Sequence, residues 1–288
     1  MNVLIVLNYN DGKTTAGMVG MALECEALSH IVVVDNCSTD DSFSVLSELA
    51  SERVDVIRTD CNGGYANGNN FGAEYAMTKY SPDNLFIANP DVEFDGRTVE
   101  ALSEYLSKNP KVGIVSCKMI CTSGIDTRQA WRIPRYGDCI RENLILLKKI
   151  TGNRTWYPES HFEGRESMVE AVSGSFFAIS ADAFKKVGGF DANTFLYYEE
   201  NIIASKLLDA GYHNVILNDF SYVHRHSESI NKSMTSVKRR LKTAYVSRKY
   251  FCRNYLRKRG LAMAFLALTF HVGLFNYLLA LKIFKIKR

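Results

Sequence analysis

The first hundred residues alternate short apolar runs with segments of helical periodicity, and each apolar run stops at a polar or charged residue. Val3–Leu7 meets Asn8-Tyr9-Asn10. Ile31-Val32-Val33-Val34 stops at Asp35, and Leu85–Ala88 feeds into Asn89-Pro90-Asp91. Between them, residues 14–28 place Met18, Met21, Ala22 and Cys25 on one helical side. Residues 42–49 place Phe43, Leu46 and Leu49 at helical spacing, and residues 71–79 read as a third helix. This repetition predicts an α/β fold with a mostly parallel central sheet flanked by helices. Ligands in such sheets bind beyond the carboxyl ends of the strands, so the polar stops gather on one edge.

Val54–Ile57 adds a strand, residues 98–108 a helix, and Val112–Cys117 another strand. From about 120 to 165 the pattern weakens into long loops and a short helix carrying Trp131, Arg132, Trp156 and Tyr157. Regularity returns with Val169–Ile179, helices over 181–187 and 199–210, and a strand at Val215–Leu217. A chain of 288 residues with 47% hydrophobic content accommodates one large domain with its own core plus an appendage. The seven cysteines form no CxxC pair and no zinc spacing, and read as reduced thiols of a cytosolic protein. Residues 1–7 lack a basic lead and read as a strand, not a signal peptide.

Charge divides the chain. Residues 229–288 hold 15 Lys/Arg and no Asp or Glu, leaving 20 Lys/Arg against 31 Asp/Glu elsewhere. A basic end on an acidic body wants an anionic partner, nucleic acid or an anionic membrane. Lys238–Arg259 interleaves cations with Tyr245, Tyr250, Phe251 and Tyr255, and Leu261–Leu281 follows without a formal charge. That length can cross a bilayer, but cations flank it on both sides, against the positive-inside tendency. The segment therefore reads first as an in-plane or re-entrant helical anchor held by anionic lipid, ahead of a true span and of a helix packed on the body. Nucleic acid is the weaker partner, because it gives the uncharged segment no use and no nucleic-acid fold signature accompanies the cations.

Five segments in order carry a resemblance: Val34-Asp35-Asn36-Cys37-Ser38-Thr39-Asp40, Asn62–Asn70, Asn89-Pro90-Asp91, Gly188-Gly189-Phe190-Asp191 through Tyr198-Glu199-Glu200, and His224. Over roughly residues 1–230 they resemble the family 2 glycosyltransferases, in particular bacterial rhamnosyltransferase-like enzymes of surface-polysaccharide assembly. The resemblance implies a GT-A fold, an inverting mechanism and a nucleoside-diphosphate sugar donor. The implied catalytic domain is 1–230, with a nucleotide-binding half (1–118) and an acceptor-binding half (119–230). Residues 231–288 form a helical, basic and hydrophobic membrane-associating tail.

The resemblance also implies roles. Asn8, Asp35, Asn36, Asn62, Gly64, Asn69, Asn89 and Asp91 would bind the nucleotide sugar, with Asp35 exposed at the sheet edge to accept the imide N–H of uracil or thymine. Ser38 or Asp40 would cap the next helix. The Gly/Asn-rich stretch 62–70 would bring backbone close to a ligand ahead of the helix at 71. Asp91 and His224 would hold Mn²⁺ or Mg²⁺, with His226 a rival to His224, and Asn89 stands where the family carries an acid. Arg225 and Ser229 would reach the diphosphate. Glu200, with Glu199, would be the base, although the family usually carries Asp at 200, and Asn201, Ile202 and Lys206 also depart. Trp131, Arg132 and Asp191 are acceptor candidates. The acceptor implied is a lipid-linked glycan at the cytoplasmic face of a bacterial membrane.

Overall fold

A computed structural model describes residues 1–121, 124–125, 129–225 and 236–283. β1 (Asn2–Asn8) lies between β2 (His30–Asp35) and β4 (Asn84–Ala88), parallel to both, and β2 is parallel to β3 (Val54–Arg58). Next to β4 comes β11 (Phe176–Ser180), then β6 (Val112–Cys121), β12 (His213–His224) and the short β5 (Val92–Glu93). β11 is antiparallel to both β4 and β6, so those two run the same way, and β12 is parallel to β6. Six of the long strands therefore share one direction and only β11 opposes them, the mostly parallel sheet that the alternation predicts.

Period-2 alternation gives the sheet two apolar faces. Leu4, Val6, Ile31, Val33 and Phe86 pack against α1 (Gly12–Leu23), α2 (Ser42–Ser47) and α4 (Gly96–Lys108). Val3, Ile5, Val32, Val34 and Ile87 pack against α3 (Gly64–Tyr80), α7 (Ala181–Lys186) and α8 (Glu199–Asp209). Asp95 caps α4, accepting from the Thr98 amide at 2.7 Å. Ser180 caps α7 in the same way.

Several boundaries differ from the sequence reading. α3 begins at Gly64, not at 71, so the Gly/Asn-rich stretch is mostly helix. A Cβ on Gly68 would lie 2.3 Å from a Leu7 methyl, and one on Gly72 2.7 Å from methyls of Ile5 and Val34. These glycines let α3 sit close on the sheet. β12 extends seven residues past Leu217, because a register shift between Leu217 and Ser221 carries the strand onward beside β6. The N-cap position of α2 is Asp41, without a side-chain cap bond, but Asp40 Oδ1 accepts the first helical amide, Ser42, at 3.0 Å, while Ser38 makes no bond to the helix start. The irregular stretch holds two helices, α5 (Tyr136–Asn143) and α6 (Ile145–Thr151). It also holds the two-residue strand β8 (Ala130–Trp131), paired with β10 (Ala171–Val172). β7 (Gly124–Ile125) pairs with β6, and β9 (Glu166–Val169) with β12.

The basic end packs on the body. α9 (Val237–Asn254) and α10 (Gly260–Ile283) share a third apolar cluster with α5 and the start of α8: Cys139, Tyr198, Ile202, Phe251, Cys252 and Leu266. All seven cysteines are free thiols.

Candidate functional site

The polar stops do gather on one sheet edge. Asn8 and Asp35 are register partners at the ends of β1 and β2, and the Asn8 amide donates to Asp35 Oδ1 at 2.9 Å. Thr15 donates to Asn8 Oδ1 at 2.9 Å. Asp35 Oδ2 accepts from the Ser38 amide at 3.0 Å and pairs with Arg58 Nε at 3.2 Å. Asp35 is 0% exposed, which corrects the expectation of an open carboxylate. Arg58, at the end of β3, also sets its guanidinium 4.8 Å from the centre of the Phe43 ring.

Asn36, also buried, donates to Asn62 Oδ1 at 3.1 Å and to the Gly64 carbonyl at 3.2 Å. Gly64 has φ +85°, and a Cβ there would fall 1.9 Å from the Phe195 carbonyl oxygen. The next amide, Tyr65, donates to that same carbonyl at 3.1 Å. Asn67 donates to Ala192 and Asn70 to Phe190, so the asparagines pin the loop ahead of α8. Asn69 lies buried inside α3 and donates to the Tyr65 carbonyl. Asn8, Asn36 and Asn69 are thus enclosed and support the edge, where the resemblance implies ligand contact.

Asn89-Pro90-Asp91 follows β4. β5 turns antiparallel to the end of β12 with His224 opposite Val92, which sets Asp91 Oδ1 3.3 Å from His224 Nε2. The two residues lie 133 positions apart in sequence. Both side chains are largely but not fully enclosed, at 13% and 10% exposure. Asp91 also borders a cleft of about 930 Å³ with Lys13, Tyr222 and Arg225. An oxygen and a nitrogen donor facing each other suit Mn²⁺, whose remaining ligands a diphosphate would supply. Among the described residues no cluster of three or more His, Cys, Asp or Glu makes a complete protein cage. Arg225 is engaged with Glu93 at 2.6 Å, and its amide donates to the Asp91 carbonyl. His226 and Ser229 lie outside the described residues.

Glu199 and Glu200 open α8 directly after Tyr197 and Tyr198, whose φ values are +73° and +74°. Two successive tyrosines in the left-handed region cost on the order of 1–2 kcal/mol each, so surrounding contacts must hold them. The Tyr198 hydroxyl donates to Glu142 at 2.8 Å, and Ser247 of α9 grips the Leu196 carbonyl at 2.8 Å. Glu199 is 3% exposed and its Oε2 has no hydrogen-bond partner. Burial, then the neighbouring Glu200 charge, push it up to about 8. The helix dipole favours ionised carboxylates at this end, but burial wins. Burial likewise raises half-buried Glu200.

The segment Ser173-Gly174-Ser175 joins these parts. A Cβ on Gly174 would lie 3.1 Å from Glu200 Oε1 and 3.0 Å from the Tyr65 hydroxyl, which donates to the Gly174 carbonyl at 2.6 Å. One residue on, the Ser175 carbonyl accepts the Asn89 amide at 2.8 Å, and Ser175 Oγ meets the Tyr222 hydroxyl at 2.7 Å. Glu200, Asn89 and the strand that ends at His224 are therefore bound to one tripeptide. The sequence reading missed Gly174 and Tyr222; the small Ser-Gly-Ser run before the apolar β11 was the available signal.

On the far side of Glu200, Trp131 donates to Asn201 Oδ1 at 2.8 Å, which gives departing Asn201 a partner. Arg132 is exposed and its guanidinium lies 4.5 Å from the Tyr157 ring centre. Lys206 donates to the Gly188 and Gly189 carbonyls. Asp191, an acceptor candidate in the sequence, is engaged within the protein. Its Oδ2 accepts from Tyr250 at 2.9 Å and Tyr255 at 2.6 Å, and its Oδ1 from Asn193, so it fastens α9 to the body.

Residues 3–188 match glycosyl transferase family 2. A low-salt glycan biosynthesis hexosyltransferase of Haloferax volcanii is 23% identical over 197 residues, 68% of this chain; the chain spans 58% of that protein. An N-acetylglucosaminyl-diphospho-decaprenol L-rhamnosyltransferase of Mycobacterium tuberculosis is 26% identical over 248 residues, 81% of this chain and 78% of that one. The structure of GalNAc-T7 with UDP, GalNAc and Mn²⁺ superposes with a TM-score of 0.61 at 17% identity, covering 88% of this chain and 49% of that one. The fold is of the GT-A type.

Proposed function

The chain belongs to glycosyl transferase family 2, and from that premise we propose that it transfers a single sugar, with inversion, from a UDP- or dTDP-linked donor to a hydroxyl of a lipid-linked glycan. The setting we infer is bacterial surface-polysaccharide assembly (capsule, O-antigen or exopolysaccharide) at the cytoplasmic membrane face. The relative whose name specifies a diphospho-decaprenol acceptor supports the lipid-linked substrate.

The observation that carries this reading is the meeting of Asp91 and His224 at 3.3 Å, on the same connected edge as Glu200. Asp91 and His224 would hold Mn²⁺ or Mg²⁺, which when bound neutralises charge on the leaving diphosphate. Half-exposed Asn62 and Asn89 line the donor side with Asp91, and buried Asn8, Asp35, Asn36 and Gly64 hold that side in shape. Arg58 is the exposed member of the Asp35 network. Glu200 accepts the acceptor hydroxyl proton as the new carbon–oxygen bond forms and the bond to the nucleoside diphosphate breaks. Burial strengthens it as a base, since the raised pKa brings it nearer to neutral pH. Trp131 and Arg132, beside Asn201, offer an aromatic and cationic edge on the acceptor side.

Thermal stability with UDP, dTDP, GDP and CDP, each with and without Mn²⁺, tests the donor site. A ligand that binds only the native state raises its stability by mass action. The expected result is a rise with UDP or dTDP that needs metal and is lost in Asp91→Ala and His224→Ala. No rise with any nucleotide in the folded protein sinks the reading and favours a non-catalytic scaffold of the same fold.

A further inference from the structure

α10 has two apolar faces with different fates. One is fixed to the body: Leu266, Phe270 and Leu274 are buried. Asn143 of α5 donates to the Leu266 carbonyl at 2.9 Å and to Thr269 Oγ1 at 3.0 Å. At Gly273 a Cβ would fall 1.9 Å from the Asn143 carbonyl oxygen, so α10 is seated as close as backbone permits. Tyr245 of α9 stacks on Phe270 at 3.9 Å, and Tyr136 donates to the Ala262 carbonyl.

The other face is open. Leu261, Phe265, Leu268, Val272, Phe275 and Leu279 recur at spacings of four and three, and all are 43% exposed or more. That is one stripe of an α-helix. α6 packs on the same helix, and its Leu146, Leu147 and Ile150 are 38%, 43% and 83% exposed. Two helices more than a hundred residues apart in sequence thus present neighbouring apolar surface, which marks an interaction site.

We propose that the outer faces of α6 and α10 form one docking surface for an anionic lipid bilayer, with α10 lying in the membrane plane and not across it. Charge identifies the occupant. Arg257, Lys258 and Arg259 precede the stripe, Lys282 ends it, Lys148 lies on α6, and residues 229–288 hold no acid. Apolar side chains bracketed by cations complement acyl chains under anionic headgroups. A second copy on the same face would bring cations against cations. The packed face sets the orientation, because a crossing helix would have to leave Asn143 with its bonds to Leu266 and Thr269 broken. The proposal rests on packing and charge and is independent of the transferase reading.

The test is flotation of the full chain, without substrates, on vesicles of phosphatidylcholine alone or mixed with phosphatidylglycerol. Anionic vesicles should bind about tenfold tighter or more. Ile150→Glu and Leu268→Glu should each weaken binding at least about fivefold, as expected when an apolar contact becomes a charge. Both sites are open enough that the melting temperature should hold. Depth comes from quenching by brominated lipids of tryptophan placed singly at Leu261, Leu268 and Leu279. Equal shallow depth supports the in-plane helix, and a graded profile with Leu268 deepest overturns it. Equal binding to neutral vesicles, full binding by Ile150→Glu, or a concentration-dependent dimer without lipid binding also overturns the proposal.

Discussion

Arg248 of α9, buried, and Glu142 of α5, largely enclosed, form an ion pair at 2.8 Å, with the Tyr198 hydroxyl bonded to both. The guanidinium also donates to Asn143 Oδ1 at 2.5 Å. Glu142 is held below the ordinary carboxylate range: burial opposes this, but Arg248, Lys148 and the Tyr198 hydroxyl outweigh it. Because Tyr198 is the strained residue before Glu199, the tail anchors the loop that presents Glu200.

Removing one partner of that pair should cost far more than removing both. Arg248→Met leaves a largely enclosed carboxylate without its guanidinium partner and should lower stability by up to about 3 kcal/mol, the lower end for a broken buried pair because the Tyr198 hydroxyl remains bonded to it. Arg248→Met combined with Glu142→Met should recover much of the loss. Urea unfolding of the two single variants and the double variant checks this; equal losses in single and double variants would refute the coupling. In Arg248→Lys, which keeps the charge but not the forked geometry, kcat should fall more than donor KM rises.

Glu200→Gln should reduce transfer by about 10²–10⁴-fold, the range for a lost general base. Nucleotide-induced stabilisation should persist, since the substitution leaves Asp91 and His224 in place. A variant with full turnover removes Glu200 as the base.

Gly174→Ala tests the close approach at the joining tripeptide. The methyl would press on Glu200 Oε1 and the Tyr65 hydroxyl, both side-chain ends that can shift. The protein should fold, with transfer down about tenfold to a hundredfold, the order expected for an ångström-scale misplacement. Activity with the melting temperature as control decides it. Gly64→Ala should instead destabilise the fold, because its added Cβ meets backbone at 1.9 Å and its φ is +85°.

Glu199 gives a pH dependence of definite sign. Its carboxyl keeps its proton in the folded state up to about 8, against an ordinary value near 4.5. Between those values the folded state binds more protons than the unfolded, so this group's contribution to stability falls as pH rises from about 4.5 to about 8, and levels off beyond. Glu199→Gln should flatten the decline and stabilise the protein most at the alkaline end. Melting curves of both proteins from pH 5 to about 9 measure the difference directly. Parallel curves would count against a buried neutral Glu199.

The sequence alone determined the alternation and the polar stops. Strand and helix periodicity are local, so β1, β2, β4, α4, α7 and α8 were legible, as was the family through motifs that sit where strands and helices begin or end. The Gly/Asn-rich stretch misled because its glycines, poor helix formers alone, are required where α3 lies against Leu7, Ile5 and Val34. Tertiary structure alone decided that Asp35 is buried and paired with Arg58, that Asp191 serves Tyr250 and Tyr255, and that Asp91 meets His224. It also decided which face of the uncharged C-terminal segment is open. Its apolar residues lie all round the helix, and its seat against Asn143, Tyr245 and Tyr136 separates an inner face from an outer one. Such contacts join residues distant in sequence, and no local periodicity encodes which distant partner will cover a given side chain.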